Sequence, residues 1–126
     1  MEKIKLYHYS NTDIKEKLSV KYFADNSYTD NDYNVSKIKR VFYYLNTDKI
    51  EYRFKGSQYL YIVEVNPTKL YDLKTDRDHY LTKYASIHEA LTHIKRHYIG
   101  IVYNIGISDI AVIFRDLTIQ ETITRR

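Results

Sequence analysis

The residues best suited to chemistry stand near the start of the chain. In LYHYS, residues 6–10, a strand-like run of Ile4, Leu6 and Tyr7 stops at His8, Tyr9 and Ser10. A histidine at a strand end either completes a core or is carried by the strand to a site, and the pentapeptide alone leaves both open. The other histidines are weaker candidates. HEALTH, residues 88–93, reads H-E-x-x-x-H. That spacing sets His88 and His93 about 140° apart on a helix of ~3.6 residues per turn, so the pair cannot chelate one metal. His93 and His97 could share an ion, but no third ligand is evident, and such histidines commonly offset the dipole at a helix C-terminus. No metal is expected. Gly56, Gly100 and Gly106 are too dispersed for a phosphate-cradling loop, and no G-x-S-x-G elbow is present. With no cysteine, thiol catalysis, thiolate zinc sites and disulfides are excluded. Paired carboxylates for glycoside hydrolysis cannot be picked out.

The elements that would position His8 follow from patterning. Residues 3–9 read as a strand, and Asn11 or Thr12 caps a short helix over 13–18. Residues 19–36, rich in Asn, Asp, Ser and Thr, read as a long loop, a length that in a small domain is often functional. VFYYL at 41–45 is a second strand, followed by a helical turn or two over 46–54 with Ile50 and Phe54 four apart. QYLYIVEV at 58–65 alternates cleanly, with Tyr59, Tyr61, Val63 and Val65 on one face, and Asn66-Pro67 stops it. Residues 68–85 are mixed. Ser86 and Glu89 have capping-box spacing, and Ile87, Ala90, Leu91 and Ile94 form an apolar stripe, predicting a helix over 86–97. GIVY at 100–103 and DIAVIF at 109–114 are two further strands. This order predicts a single α+β domain over 1–126.

The chain carries a net charge of +4, and its basic residues are spread rather than clustered. That balance permits an anionic ligand or nucleic acid. Tyrosine is abundant, 15 of 126 residues, and could stack on bases or on a nicotinamide ring. An AT-rich coding sequence, which favours Lys, Ile, Asn and Tyr together, accounts for the same number. The longest apolar runs are far too short to span a bilayer, and the N-terminus lacks a signal-peptide layout. A soluble, cytoplasmic protein without membrane contact is expected.

Taken in order, four segments resemble the ADP-ribosyltransferase superfamily in its His–Tyr–Glu branch, which includes diphtheria-type toxins, poly(ADP-ribose) polymerases and compact bacterial and phage members. LYHYS resembles the family's first-strand motif, with Tyr9 where Gly is common. VFYYLNTDKIEY at 41–52 is similar to its aromatic strand and tyrosine-ended helix. YIVEVNPTKLYDL at 61–73 follows the next strand, and HYIGIVYNIGISDIAVIFRDLTI at 97–119 follows the closing third. The resemblance implies two small packed antiparallel sheets with short flanking helices. It also implies cleavage of NAD, as substrate, at the nicotinamide–ribose bond, where the protein mainly orients the dinucleotide and stabilises developing positive charge. His8 would then bond a ribose hydroxyl, the Tyr9 backbone would hold the carboxamide, and Ser10 would support that turn. Tyr43 or Tyr44, with Tyr52, would sandwich the nicotinamide. Asp109 stands where the family usually has Glu and would bind the ribose 2′-hydroxyl, one methylene shorter in reach.

The expectation is therefore an NAD-dependent mono-ADP-ribosyltransferase with a protein or nucleic-acid acceptor. An inactive module of the same fold that binds a nucleotide or a partner, and a basic Tyr-rich nucleic-acid-binding protein, are the alternatives.

Overall fold

The computed structural model describes residues 2–21, 38–47, 56–105 and 108–124. The strands are β1 (Ile4–Ser10), β2 (Lys17–Leu18), β3 (Val41–Tyr44), β4 (Tyr59–Val65), β5 (Leu70–Asp72), β6 (Gly100–Ile105), β7 (Ser108–Ile113), β8 (Leu117–Thr118) and β9 (Glu121–Thr124). A 3₁₀ turn, Pro67–Lys69, leads into β5, and two helices, α1 (Tyr80–Lys83) and α2 (Ile87–Ile94), separate β5 from β6. The fold is a small α+β one whose core is mostly sheet.

Among the described residues, one seven-stranded sheet runs β5-β6-β7-β3-β1-β4-β9, and β2 pairs with β8 as a separate ribbon. The pairs are antiparallel except β5 with β6, which are parallel. Two small antiparallel sheets were expected; most strands instead join one mixed sheet. Its continuity across β3 and β1 hangs on a single pairing, Tyr7 opposite Tyr44, whereas β1 and β4 pair over seven residues from Ile4↔Val65 to Ser10↔Tyr59.

Strand alternation divides the core. On one face Leu6, Val41, Tyr43, Tyr61, Val63, Ala111 and Ile113 pack with Leu18 of β2, with Leu117 of β8 packed against them. On the other, Leu91 and Ile94 of α2 cover Ile101, Tyr103, Ile110 and Val112. Helix α2 forms as its sequence predicts: the Ser86 hydroxyl accepts from Glu89 N at 3.1 Å, and Ala90, Leu91 and Ile94 are buried. It ends at Ile94, three residues before the expected 97. Gly100 admits β7, since a Cβ there would lie 2.4 Å from the Val112 carbonyl oxygen.

The helix expected over 13–18 does not form. Glu16 has φ 64°, Leu18 pairs with Leu117, and Asn11 uses its side chain to accept from Gln58 N at 2.9 Å rather than to cap a helix. The turns expected over 46–54 fall mostly, and the 19–36 loop largely, outside the described residues. No helix among the described residues is long and apolar enough to cross a membrane.

Candidate functional site

Both β1 and β7 run antiparallel to β3, so the three lie side by side with β1 and β7 parallel. His8 is two residues beyond Leu6, and Asp109 two before Ala111; Leu6, Ala111 and Tyr43 share one face. Residues from three distant segments, His8, Tyr43 and Asp109, are thereby gathered on that face.

The His8 and Tyr43 rings meet edge to face, with centroids 5.8 Å apart. His8 Nδ1 lies 2.7 Å from the Phe42 carbonyl oxygen. A carbonyl only accepts, so Nδ1 carries the proton and donates, and in the neutral ring Nε2 is the acceptor. Burial pulls the His8 pKa below its ordinary value, outweighing the Phe42 hydrogen bond, which acts in the opposite sense. The imidazole bridges β1 to β3 just past their single paired position, where ladder bonds between the strands run out.

Tyr43 is only 1 % exposed. Its hydroxyl is buried without a hydrogen-bond partner among the described residues. Burial, and then the negative charge of Asp116, push its pKa far up, so the hydroxyl stays neutral. Asp116 stands between β7 and β8, accepts from Val20 N at 2.9 Å and pairs with Lys17 at 3.3 Å, tying the β2–β8 ribbon down over this face. As placed, Tyr43 has no ring face open to a ligand.

Tyr44 and Tyr9 occupy the opposite face, with ring centroids 6.4 Å apart. Neighbouring residues of a strand point to opposite faces, so Tyr43 and Tyr44 cannot both line a site with His8. Ser10 accepts from Thr12 N at 3.0 Å and so holds the turn after β1. Tyr52 lies outside the described residues.

Asp109 is half-buried and its carboxylate is 3.5 Å from Lys74 Nζ. Lys74 follows β5, on the side of β7 away from β1, so the side chain leans away from His8. Two strand spacings and two residues of rise put the His8 and Asp109 backbones roughly 12 Å apart. The three residues share a face without forming a closed constellation.

Two clefts are formed elsewhere. One, ≈ 570 Å³, runs along β9 between Asp13, Glu16, Tyr59 and Glu121. The other, ≈ 430 Å³, lies at the β5 edge and includes Tyr71, Asp72, Arg77 and Tyr98. Neither includes His8, Tyr43 or Asp109. Sequence reasoning passed over the second, because its residues come from a mixed stretch with no periodicity and from the segment after α2. Among the described residues no three His, Asp or Glu side chains group to hold a metal. His93, a candidate ligand by spacing, stacks on Tyr84 at 4.1 Å instead. Comparison with protein-family models, with curated proteins and with solved structures gave no match.

Proposed function

We propose that the chain is an NAD-dependent mono-ADP-ribosyltransferase, cleaving the nicotinamide–ribose bond and passing ADP-ribose to a protein or nucleic-acid acceptor. The observation that carries this is the strand order β7-β3-β1, with Asp109, Tyr43 and His8 on one face. A neutral His8 whose Nδ1 is held by Phe42 presents Nε2 as an acceptor for a ribose hydroxyl. The Tyr43 hydroxyl is a buried donor without a partner among the described residues, and a ligand hydroxyl or carboxamide oxygen would satisfy it. Asp109 would turn from Lys74 to the ribose; an exposed ion pair of this kind is worth about 0–1 kcal/mol, so the rearrangement costs little. The larger step is exposing Tyr43, which requires the β2–β8 ribbon to shift.

That cover, together with the engagement of Asp109 by Lys74, favours a second reading: the same site binding a nucleotide or partner without turnover. Incubation with NAD decides between them, with nicotinamide release and NAD affinity measured for the wild type, His8→Ala and Asp109→Ala. Release that falls at least tenfold in both variants supports the enzyme. Binding that depends on His8 without release selects the module. No release, with NAD affinity insensitive to His8→Ala, refutes both.

A further inference from the structure

We propose that the cleft at the β5 edge is a nucleotide site, taking a nucleoside phosphate with its base on Tyr98 and its phosphate on Arg77. The cleft measures ≈ 430 Å³, within the roughly 300–1,000 Å³ typical of small-molecule sites. Its floor is aromatic and fixed. Tyr71 is buried, its hydroxyl donates to the Asp76 carboxylate, and it accepts from Asp78 N at 3.0 Å. The Tyr71 ring stands edge-on to Tyr80 at 5.0 Å and tilts against Tyr98 at 5.2 Å. Tyr98 is half-buried, so part of its ring remains to stack on a planar base.

The wall is set by Asp76. Its carboxylate also accepts from Tyr80 N at 2.9 Å and Leu81 N at 3.0 Å, while its own backbone is left-handed at φ 43°. Three bonds to one side chain hold a conformation that a non-glycine residue rarely adopts. This fixed turn delivers the next residue, Arg77, to the cleft. Arg77 is exposed and has no hydrogen-bond or ion-pair partner among the described residues. Its planar fork of donors suits a phosphate.

Asp72 makes the ligand a nucleotide rather than a phosphorylated aromatic side chain. One of its oxygens accepts from Lys74 N at 2.8 Å. The remaining acceptor capacity can take a hydroxyl or amine donor, which a ribose diol or an exocyclic base amine provides and the side chain of phosphotyrosine does not. Its charge repels the phosphate of either ligand, and only the nucleotide offsets that with a donor to the carboxylate. The cleft is four strand spacings from β1, about 19 Å, so it stands or falls independently of the His8 site.

The test is titration calorimetry of the full chain with AMP, with a single-stranded oligoadenylate and with phenyl phosphate. Variants Arg77→Gln, Tyr98→Leu, Tyr98→Phe and His8→Ala accompany the wild type. The expected result is AMP affinity about tenfold weaker in Arg77→Gln and in Tyr98→Leu, yet retained in Tyr98→Phe and His8→Ala. If the oligoadenylate binds more tightly than AMP, is displaced by it and weakens steeply with salt, the nucleotide is read within a strand. If AMP binds as well or better, the ligand is a free nucleotide. The proposal is overturned if neither binds at millimolar concentration, if binding ignores Arg77→Gln and Tyr98→Leu, or if phenyl phosphate binds as tightly as AMP. Because NAD turnover is not the readout, failure here leaves the ADP-ribosyltransferase reading untouched, and the reverse also holds.

Discussion

Tyr43→Phe should make this protein more stable. The Tyr43 ring is 1 % exposed, and its hydroxyl has no hydrogen-bond partner among the described residues. Burying a hydroxyl without a partner costs roughly 1–3 kcal/mol, while removing it leaves the ring packing intact. Cavity formation is negligible for loss of one oxygen, so a gain of about 1–2 kcal/mol is expected. Unfolding entropy near 2.1 cal/mol/K per residue gives ~0.26 kcal/mol/K for a chain of 126 residues, so Tm should rise by about 4–8 °C. Thermal melts followed by far-ultraviolet circular dichroism measure this. Urea titration checks that the midpoint moves at constant slope, so that the native state rather than the denatured one has changed. A loss of 1 kcal/mol or more would refute the reasoning, because the hydroxyl would then be making a bond. If the hydroxyl is kept for a ligand, the same variant should bind NAD more weakly while melting higher, a combination that simple repacking does not produce.

Gly100→Ala should destabilise by about 3 kcal/mol or prevent folding, since its Cβ would stand 2.4 Å from the Val112 carbonyl oxygen; soluble yield and chemical denaturation report it. Tyr61→Phe removes a hydroxyl that accepts from Ile14 N at 2.6 Å and donates to the Thr12 carbonyl at 2.5 Å, and should cost about 1–2 kcal/mol in the same denaturation assay. The Asp116 pKa lies below its ordinary value, chiefly through the Val20 N–H bond and with help from Lys17. Its contribution is thus present above the unfolded carboxylate pKa and lost as pH falls through the folded one, so Asp116→Asn should flatten the acid limb of a stability–pH profile. His8 has the opposite charge type: burial lowers its folded pKa, so protonation is disfavoured in the native state and stability should fall as pH drops below about 6.5. His8→Gln, measured by urea midpoint from pH 7.5 downward, should remove that part of the decline.

Local patterning determined much of this protein. The alternation of β4, the Ser86–Glu89 cap and apolar stripe of α2, and the strands at β1, β3, β6 and β7 follow from side-chain periods of two and 3.6, which a sequence displays directly. It also supplied His8, Tyr43 and Asp109 as residues worth following. Only the tertiary structure decided how they relate. Whether Tyr43 or Tyr44 accompanies His8 depends on the pairing register, and a shift of one residue exchanges the two faces. The leaning of Asp109 depends on Lys74, which reaches it only because β5 adds to the sheet beside β6. A three-residue strand such as Leu70–Asp72 has too short a pattern to be recognised, and its parallel partner lies about thirty residues away. The same holds for residues 13–18, where a possible cap at Asn11 or Thr12 suggested a helix and pairing with Leu117 won. Spacing along a chain fixes what each segment prefers; strand order, a property of distant pairings, fixes which side chains can meet.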